Sequence, residues 1–194
     1  MQFSEAENKA AGEMVDLLAT KLGSGRAVHS ETAIASAARL AGSLLFRSFN
    51  LNVEAHQPGT IILSNEANEE CPQLVSAMSA MLQHFGVALN CEKLGPELSK
   101  RGEAPELSVV ESLALLQEEA LHIARSNGLE LQKAALSAAM ATAFVVKECA
   151  KSIGAEVGFN VAAYAFVEGC KTVPPALGLQ SKSPSQKKPW YRQR

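Results

Sequence analysis

The stretch AALSAAMATAFVV, residues 134–146, decides the fold that we expect of this chain. It carries no charge, and its only polar side chains are those of Ser137 and Thr142. Alanine favours helix and has no bulky side chain to keep neighbouring backbones apart. Because a helix that is apolar on every side has to be buried on every side, we predict that this segment lies in the middle of a helical bundle.

Other segments show the spacing of amphipathic helices, in which apolar residues recur at helical intervals. The first begins with Ser4 and Glu7, which fit a capping box. The predicted starting points of the next three are Ser30, Pro72 and Glu106. The helix that starts at Glu106 ends at Asn127 and Gly128, and we predict that it forms an antiparallel αα-hairpin with the 134–146 helix.

The segment after Gly154 can be interpreted in two ways. Val157, Phe159 and Val161 alternate with other residues as they would in a strand, whereas the alanines that follow favour helix. The pattern alone leaves strand and helix open, and we choose helix for residues 155–169.

A short region between the second and third helices has a different pattern. Apolar and polar side chains alternate over residues 51–56, which is the period of a strand. Pro58 and Gly59 follow, in the order that a type II turn requires, and three residues that favour strands come next. This predicts a small antiparallel β-hairpin at about residues 51–63, with residues 87–89 as a candidate third strand.

Together these patterns predict a mainly α fold, a bundle of five to six helices with one small antiparallel hairpin. We place it in a single domain over residues 1–173, or in two halves separated by an exposed linker at 90–105, where glycine and proline interrupt a charged segment. Residues 174–194 are rich in proline, serine and lysine, and we predict that they form a flexible basic tail.

The composition fits a globular protein and excludes several classes of enzyme. The 194 residues are 47% hydrophobic and 20% charged, with a formal net charge of −2. The sequence contains no phosphate-binding loop, no dinucleotide-binding glycine motif and no H-E-x-x-H zinc motif. We therefore expect no cofactor and favour a non-catalytic protein over an enzyme.

The cysteines and the first residues bear on the location of the protein. None of Cys71, Cys91, Cys149 and Cys170 belongs to a C-x-x-C pair, so a structural zinc site is not expected. The start lacks a secretory signal, and no apolar segment reaches the roughly 20 residues that span a membrane. We predict a soluble, cytoplasmic protein with reduced cysteines, and we expect Cys71 and Cys91 to be buried and inert.

Glu119 and His122 form the sharpest candidate for chemistry. An E-x-x-H motif places a carboxylate and an imidazole on one helix face, as in bundles that hold two metal ions. Such bundles use the motif twice, whereas it occurs once here. The alternative is a solvated helix edge, on which these side chains pair with neighbours such as Arg125. Glu119 and His122 are thus the predicted metal ligands of a less favoured hypothesis.

The basic tail offers a hypothesis of its own. From Ser181 onward it contains five basic residues, no acidic one, and the aromatic pair Trp190 and Tyr191. Because cations bind phosphates and aromatic rings stack on bases, one hypothesis is weak, salt-sensitive binding of nucleic acid. Another is docking onto the acidic body of the same chain or of a partner. We favour a solubilising tail over both.

Small residues recur at helical spacing in two segments. They are Ala35, Ala38 and Gly42 in the second helix, and Gly154, Gly158, Ala162 and Ala165 near the end. Each set forms a flat groove that another helix can fill, within one chain or from a second copy. Because the chain has more apolar helix faces than its other helices can cover, we predict a homodimer with Ala162 at its seam.

The favoured function is therefore self-association or binding of another protein by a helical module without catalytic activity. The first alternative is a metal- or small-molecule-binding bundle that uses Glu119 and His122. The second is weak nucleic-acid binding through the basic tail.

Overall fold

The computed structural model describes residues 3–23, 29–95 and 103–178. In these ranges the chain forms six α-helices and one short 3₁₀ turn, Cys91–Lys93, and no β-strand. The helices are α1 (Glu5–Leu22), α2 (Ser30–Ser48), α3 (Asn65–His84), α4 (Val109–Ser126), α5 (Leu131–Ile153) and α6 (Ala155–Lys171). The prediction of a mainly helical fold is confirmed, as is the choice of helix after Gly154. Most of the predicted tail and part of the predicted linker lie outside the described residues.

Two helices begin with a complete capping box. The Ser4 hydroxyl accepts a hydrogen bond from the Glu7 N–H at 3.2 Å, and the Glu7 carboxylate accepts one from the Ser4 N–H at 2.9 Å. Ser108 and Glu111 make the same reciprocal pair at the start of α4. Because each box satisfies backbone donors that a helix start leaves free, it fixes the first residue of the helix.

The predicted start of α3 at Pro72 is wrong. The helix begins at Asn65, where the Ser64 hydroxyl accepts a hydrogen bond from the Ala67 N–H at 3.1 Å, so Pro72 lies inside the helix. An interior proline removes one backbone donor. The helix continues through it because its buried face, with Ala67, Cys71 and Leu74, runs across the proline without interruption.

The predicted β-hairpin at residues 51–63 is wrong, and residues 87–89 form no strand either. The turn within it is correct, because the Thr60 N–H donates to the Gln57 carbonyl at 3.1 Å and Gly59 has a φ of 91°. The residues after the turn pair elsewhere, through an isolated antiparallel bridge between Ile61 and Thr172. A lone hairpin is marginal in water, so this extended segment pairs with the chain that leaves α6.

The centre of the bundle is α2, which contacts all five of the other helices. Every residue from 31 to 46 is buried. The predicted central segment in α5 is also buried from residue 134 to residue 143, although Phe144 and Val145 are half-buried. The apolar stretch therefore lies in the core as predicted, but it packs beside the central helix and is not itself the centre.

The helices α2 and α6 approach each other closely at two glycines. A Cβ atom built on Gly42 would lie 2.7 Å from the backbone nitrogen of Cys170, and one built on Gly169 would lie 3.0 Å from the Cα atom of Arg39. The small-residue grooves are therefore filled within one chain. Ala162 is fully buried, so the prediction that it lies at a dimer seam is wrong.

The helices α4 and α5 do not form the predicted antiparallel αα-hairpin. Their axes turn by 115° at the connection, and α4 packs against α1 and α2. Within the described ranges, no single helix is long and apolar enough to cross a membrane, and only this bent pair meets the length and composition test when its two helices are combined.

Candidate functional site

A stripe of polar side chains runs along the otherwise apolar helix α2. Its members recur every three or four residues, which places them on one face; they are Thr32, Ser36, Arg39, Ser43 and Arg47. The stripe faces α4 and the chain before it: the Ser36 and Ser112 hydroxyls lie 3.1 Å apart. The stripe is not among the sequence-based predictions, although its spacing within an apolar helix is visible in the sequence.

Arg39, in the middle of the stripe, has both a charged partner and a neutral partner. Its Nε donates to the Glu168 carboxylate on α6 at 2.8 Å, and its Nη1 donates to the Leu107 carbonyl at 2.6 Å. The side chain is buried, and Glu168 is largely buried with it. The Glu168 carboxylate supplies the counter-charge that a buried cation requires.

Arg47, in the last turn of α2, has only neutral partners. Its Nη2 donates to the Gln117 side-chain oxygen at 2.6 Å and to the Pro175 carbonyl at 3.1 Å. Its Nε is buried without an acceptor, and no ion pair among the described residues includes it. Burial lowers the pKa of Arg47, but the guanidinium keeps its charge because its ordinary pKa is far above neutrality.

A cavity of about 580 Å³ opens beside the Arg47 side chain. We call it the Arg47 cavity. Its walls come from the end of α2, the loop at residues 51–58 and the segment at residues 173–177. The loop turns away from α2 at Asn50, which has a φ of 52°, and two prolines keep the last segment from forming a helix. A mostly apolar cavity with one fixed cation suits a ligand that has an apolar body and an anionic group.

A second feature is a group of large apolar side chains at the surface. Their exposed fractions are 68% for Ile61, 79% for Leu63, 63% for Tyr164 and 41% for Val167. Three of them, Ile61, Tyr164 and Val167, line one groove of about 400 Å³ together with Val109 and Val110 at the start of α4. We call Ile61, Leu63, Tyr164 and Val167 the apolar surface.

Glu119 and His122 lie on the exposed side of α4. Glu119 forms an ion pair with Lys21 on α1, and the His122 Nε2 lies 3.4 Å from the Ser126 hydroxyl. The described ranges contain no group of three or more His, Cys, Asp or Glu residues placed to hold a metal ion. Metal binding by Glu119 and His122 stays a prediction.

His29 lies between a hydroxyl and a carboxylate, the kinds of group that form catalytic triads, but with the two ring nitrogens exchanged. Its Nδ1 lies 2.9 Å from the Thr32 hydroxyl, and its Nε2 lies 3.1 Å from the Glu103 carboxylate. The Thr32 hydroxyl is buried, however, and accepts a hydrogen bond from the Glu106 N–H at 2.9 Å. The arrangement therefore ties residues 103–106 to the start of α2 and presents no accessible nucleophile.

The four cysteines differ in exposure. Cys71 is buried as predicted, but Cys91 is exposed, so the prediction that it is buried is wrong. Contact with the Cys71 thiol, together with burial, raises the pKa of the Cys170 thiol, and burial raises the pKa of Cys149. A raised pKa leaves little thiolate at neutral pH, so neither Cys149 nor Cys170 is an activated nucleophile.

Comparison with protein families, curated proteins and solved structures found no match for this chain. The function of the protein is therefore inferred from its own residues, and above all from the Arg47 cavity and the apolar surface.

Proposed function

We propose that this protein is a non-catalytic helical module that acts by self-association, as a homodimer joined through the apolar surface. The observation that carries the proposal is the exposure of four large apolar side chains, three of which line one groove. Large apolar groups gathered on the surface of a protein mark sites of association. This surface replaces the buried small-residue grooves as the seam.

The backbone beside these side chains also favours association with another extended segment. The extended segment pairs on one edge only: the Ile62 N–H donates to the Lys171 carbonyl at 2.7 Å, and the Val173 N–H donates to the Thr60 carbonyl at 2.9 Å. Among the described residues, nothing pairs with the opposite edge. Residues 60–64 carry no charge, although charged side chains are a common means of protecting such an edge.

A second copy of this chain is the partner that fits this edge. Two identical segments that pair in an antiparallel fashion are related by a two-fold axis, so each copy supplies the same surface to the other. The exposed Ile61 and Leu63 side chains of both copies would then be covered in one contact. This is the isologous geometry of the commonest class of oligomer.

The test is the mass of the full chain in solution, measured by light scattering after size exclusion at micromolar concentration. We expect twice the 20.6 kDa of one chain. Ile61→Lys should give the monomer, because it places a charge at the centre of the seam. The matched control is Leu115→Lys, which changes an exposed leucine of α4 outside the apolar surface and should leave the dimer intact.

Circular dichroism of both variants checks that the helices are retained. A wild-type chain with the mass of one copy would contradict the proposal. An Ile61→Lys variant that remains a dimer would contradict the assignment of the seam.

A further inference from the structure

We infer that the Arg47 cavity binds a small monocarboxylate with an apolar body, held by an ion pair with the Arg47 guanidinium. The inference is independent of self-association, because the Arg47 cavity and the groove at the apolar surface have no lining residue in common. It assigns a ligand class to a cavity that the packing of the bundle leaves open.

Arg47 carries a charge that its neighbours compensate only in part. A guanidinium removed from water without a counter-charge is costly, and neutral acceptors such as the Gln117 amide and the Pro175 carbonyl compensate only part of that cost. The hydrogen bonds of the described residues use Nη2 alone, so Nε and Nη1 have no acceptor in this part of the chain. An anion at Nη1 would supply an acceptor for that nitrogen and the missing counter-charge.

Hydrogen bonds also fix the position of the Arg47 guanidinium. The Gln117 side chain is buried, and its Nε2 donates to the same Pro175 carbonyl at 3.1 Å that accepts from Arg47. Two groups, one from α4 and one from the segment after α6, thus hold the guanidinium at one place. A binding group that is fixed before the ligand arrives loses little conformational freedom on binding.

The residues that line the cavity indicate that the body of the ligand is apolar. They include Phe46, Leu51, Val53, Leu121, Leu131 and Leu177. A cavity of about 580 Å³ lies within the range of small-molecule sites, which favour apolar surface with a few fixed polar groups. The ligand should therefore bury an alkyl or aromatic body while its charged end stays at Arg47.

The other ionisable groups of the cavity decide the charge of the ligand. Glu54 and His56 also line it, and Glu54 makes no ion pair with Arg47. With one cation and one carboxylate in the same walls, a dianionic phosphate would meet repulsion that a monoanion meets less. A carboxylate oxygen is also a strong acceptor for the Nη1 N–H groups, because a hydrogen bond between two charged groups is stronger than one between neutral groups.

The experiment uses the full chain with decanoate as the probe and decanol, which has the same apolar body without the charge, as its matched control. Binding is measured by isothermal titration calorimetry below the concentration at which either probe forms aggregates. We expect saturable binding of one decanoate per chain, and an affinity for decanol at least about tenfold weaker, the scale of one charge-assisted hydrogen bond. Equal affinity for the two probes, or no binding of decanoate, would overturn the inference.

Two variants locate the site. Arg47→Gln should weaken decanoate binding roughly ten- to a hundredfold, because it removes the charge and the guanidinium donors, and should change decanol binding far less, because the apolar walls stay the same. Arg125→Gln, which changes an exposed arginine on α4, should bind decanoate as the wild type does. Decanoate binding that survives Arg47→Gln would place the ligand elsewhere and refute the site. If Arg47→Gln fails to fold, the comparison of decanoate with decanol on the wild-type chain still decides the question.

Discussion

Arg39 and Arg47 lie two turns apart on the same face of α2, but the packing around their side chains differs. Around Arg39 the structure is closed: Glu168 supplies a carboxylate, and the nearby glycines Gly42 and Gly169 bring α2 and α6 into backbone contact. Around Arg47 the structure is open: the partners are neutral, and a cavity of about 580 Å³ lies beside the side chain.

The difference comes from the length of α6. The helix passes Arg39 and delivers Glu168 to it, but it ends at Lys171, before it reaches the end of α2. The chain that continues to Pro175 offers Arg47 a backbone carbonyl, which carries no formal charge. Arg39, which α6 covers, thus forms a structural ion pair. Arg47, on the same helix face but covered only by a loop, is a candidate binding group.

The largest expected effect concerns the closed region. Gly42→Ala should destabilise the protein by about 2–3 kcal/mol, because the new Cβ would lie 2.7 Å from the Cys170 nitrogen and the two backbones must separate. The matched control is Gly12→Ala in α1, where a Cβ meets nothing within 4 Å. It should stabilise the protein by up to about 1 kcal/mol, because alanine favours helix over glycine.

Urea unfolding followed by circular dichroism measures both variants. A Gly42→Ala variant as stable as the wild type would show that α2 and α6 are not in close contact at Gly42. The region around Arg39 would then not be more closed than the region around Arg47.

The next effect compares the two arginines directly. Arg39→Met should cost about 2–3 kcal/mol, because it leaves the largely buried Glu168 carboxylate without its counter-charge and the Leu107 carbonyl without its donor. Arg47→Met should cost less, about 1 kcal/mol, because only the neutral Gln117 side-chain oxygen loses its donor, no carboxylate is left behind, and the Pro175 carbonyl keeps the Gln117 donor.

Both values come from the same unfolding experiment as the glycine pair. The result that matters is the difference between the two variants. Equal losses would mean that Arg47 has a structural partner equivalent to Glu168, and the case for an anionic ligand would be weakened accordingly.

The helices could be predicted from the sequence because their signals are local. Ser4 and Glu7 are within one turn of each other, and Gly154, with a φ of 86°, ends α5, as a glycine commonly does. The error at Pro72 arose because burial of one continuous face outweighed a residue that is normally unfavourable inside a helix. Buried faces are a property of the whole bundle, which a single segment does not reveal.

The candidate sites could not be predicted because they join distant parts of the chain. Ile61 pairs with Thr172, and Arg47 shares a carbonyl acceptor with Gln117, so neither arrangement has a short-range pattern. The sequence did contain one usable signal, the polar stripe on α2. The E-x-x-H motif at Glu119 and His122 was easier to see because it is short, yet Glu119 pairs with Lys21 on the exposed side of α4.

The smallest expected effect concerns Asn50, which lines the Arg47 cavity and turns the chain away from α2 with a φ of 52°. Asparagine tolerates this left-handed conformation, glycine adopts it freely, and alanine does so only at a cost of about 1 kcal/mol. Asn50→Ala should therefore lose about 1 kcal/mol of stability, whereas Asn50→Gly should stay within roughly 0.5 kcal/mol of the wild type. Unfolding in urea measures both. If the open end of α2 is shaped by this backbone turn, the two variants must differ in that order; if alanine is tolerated as well as glycine, the loop does not hold the positive φ and the cavity wall it supports is not fixed by Asn50.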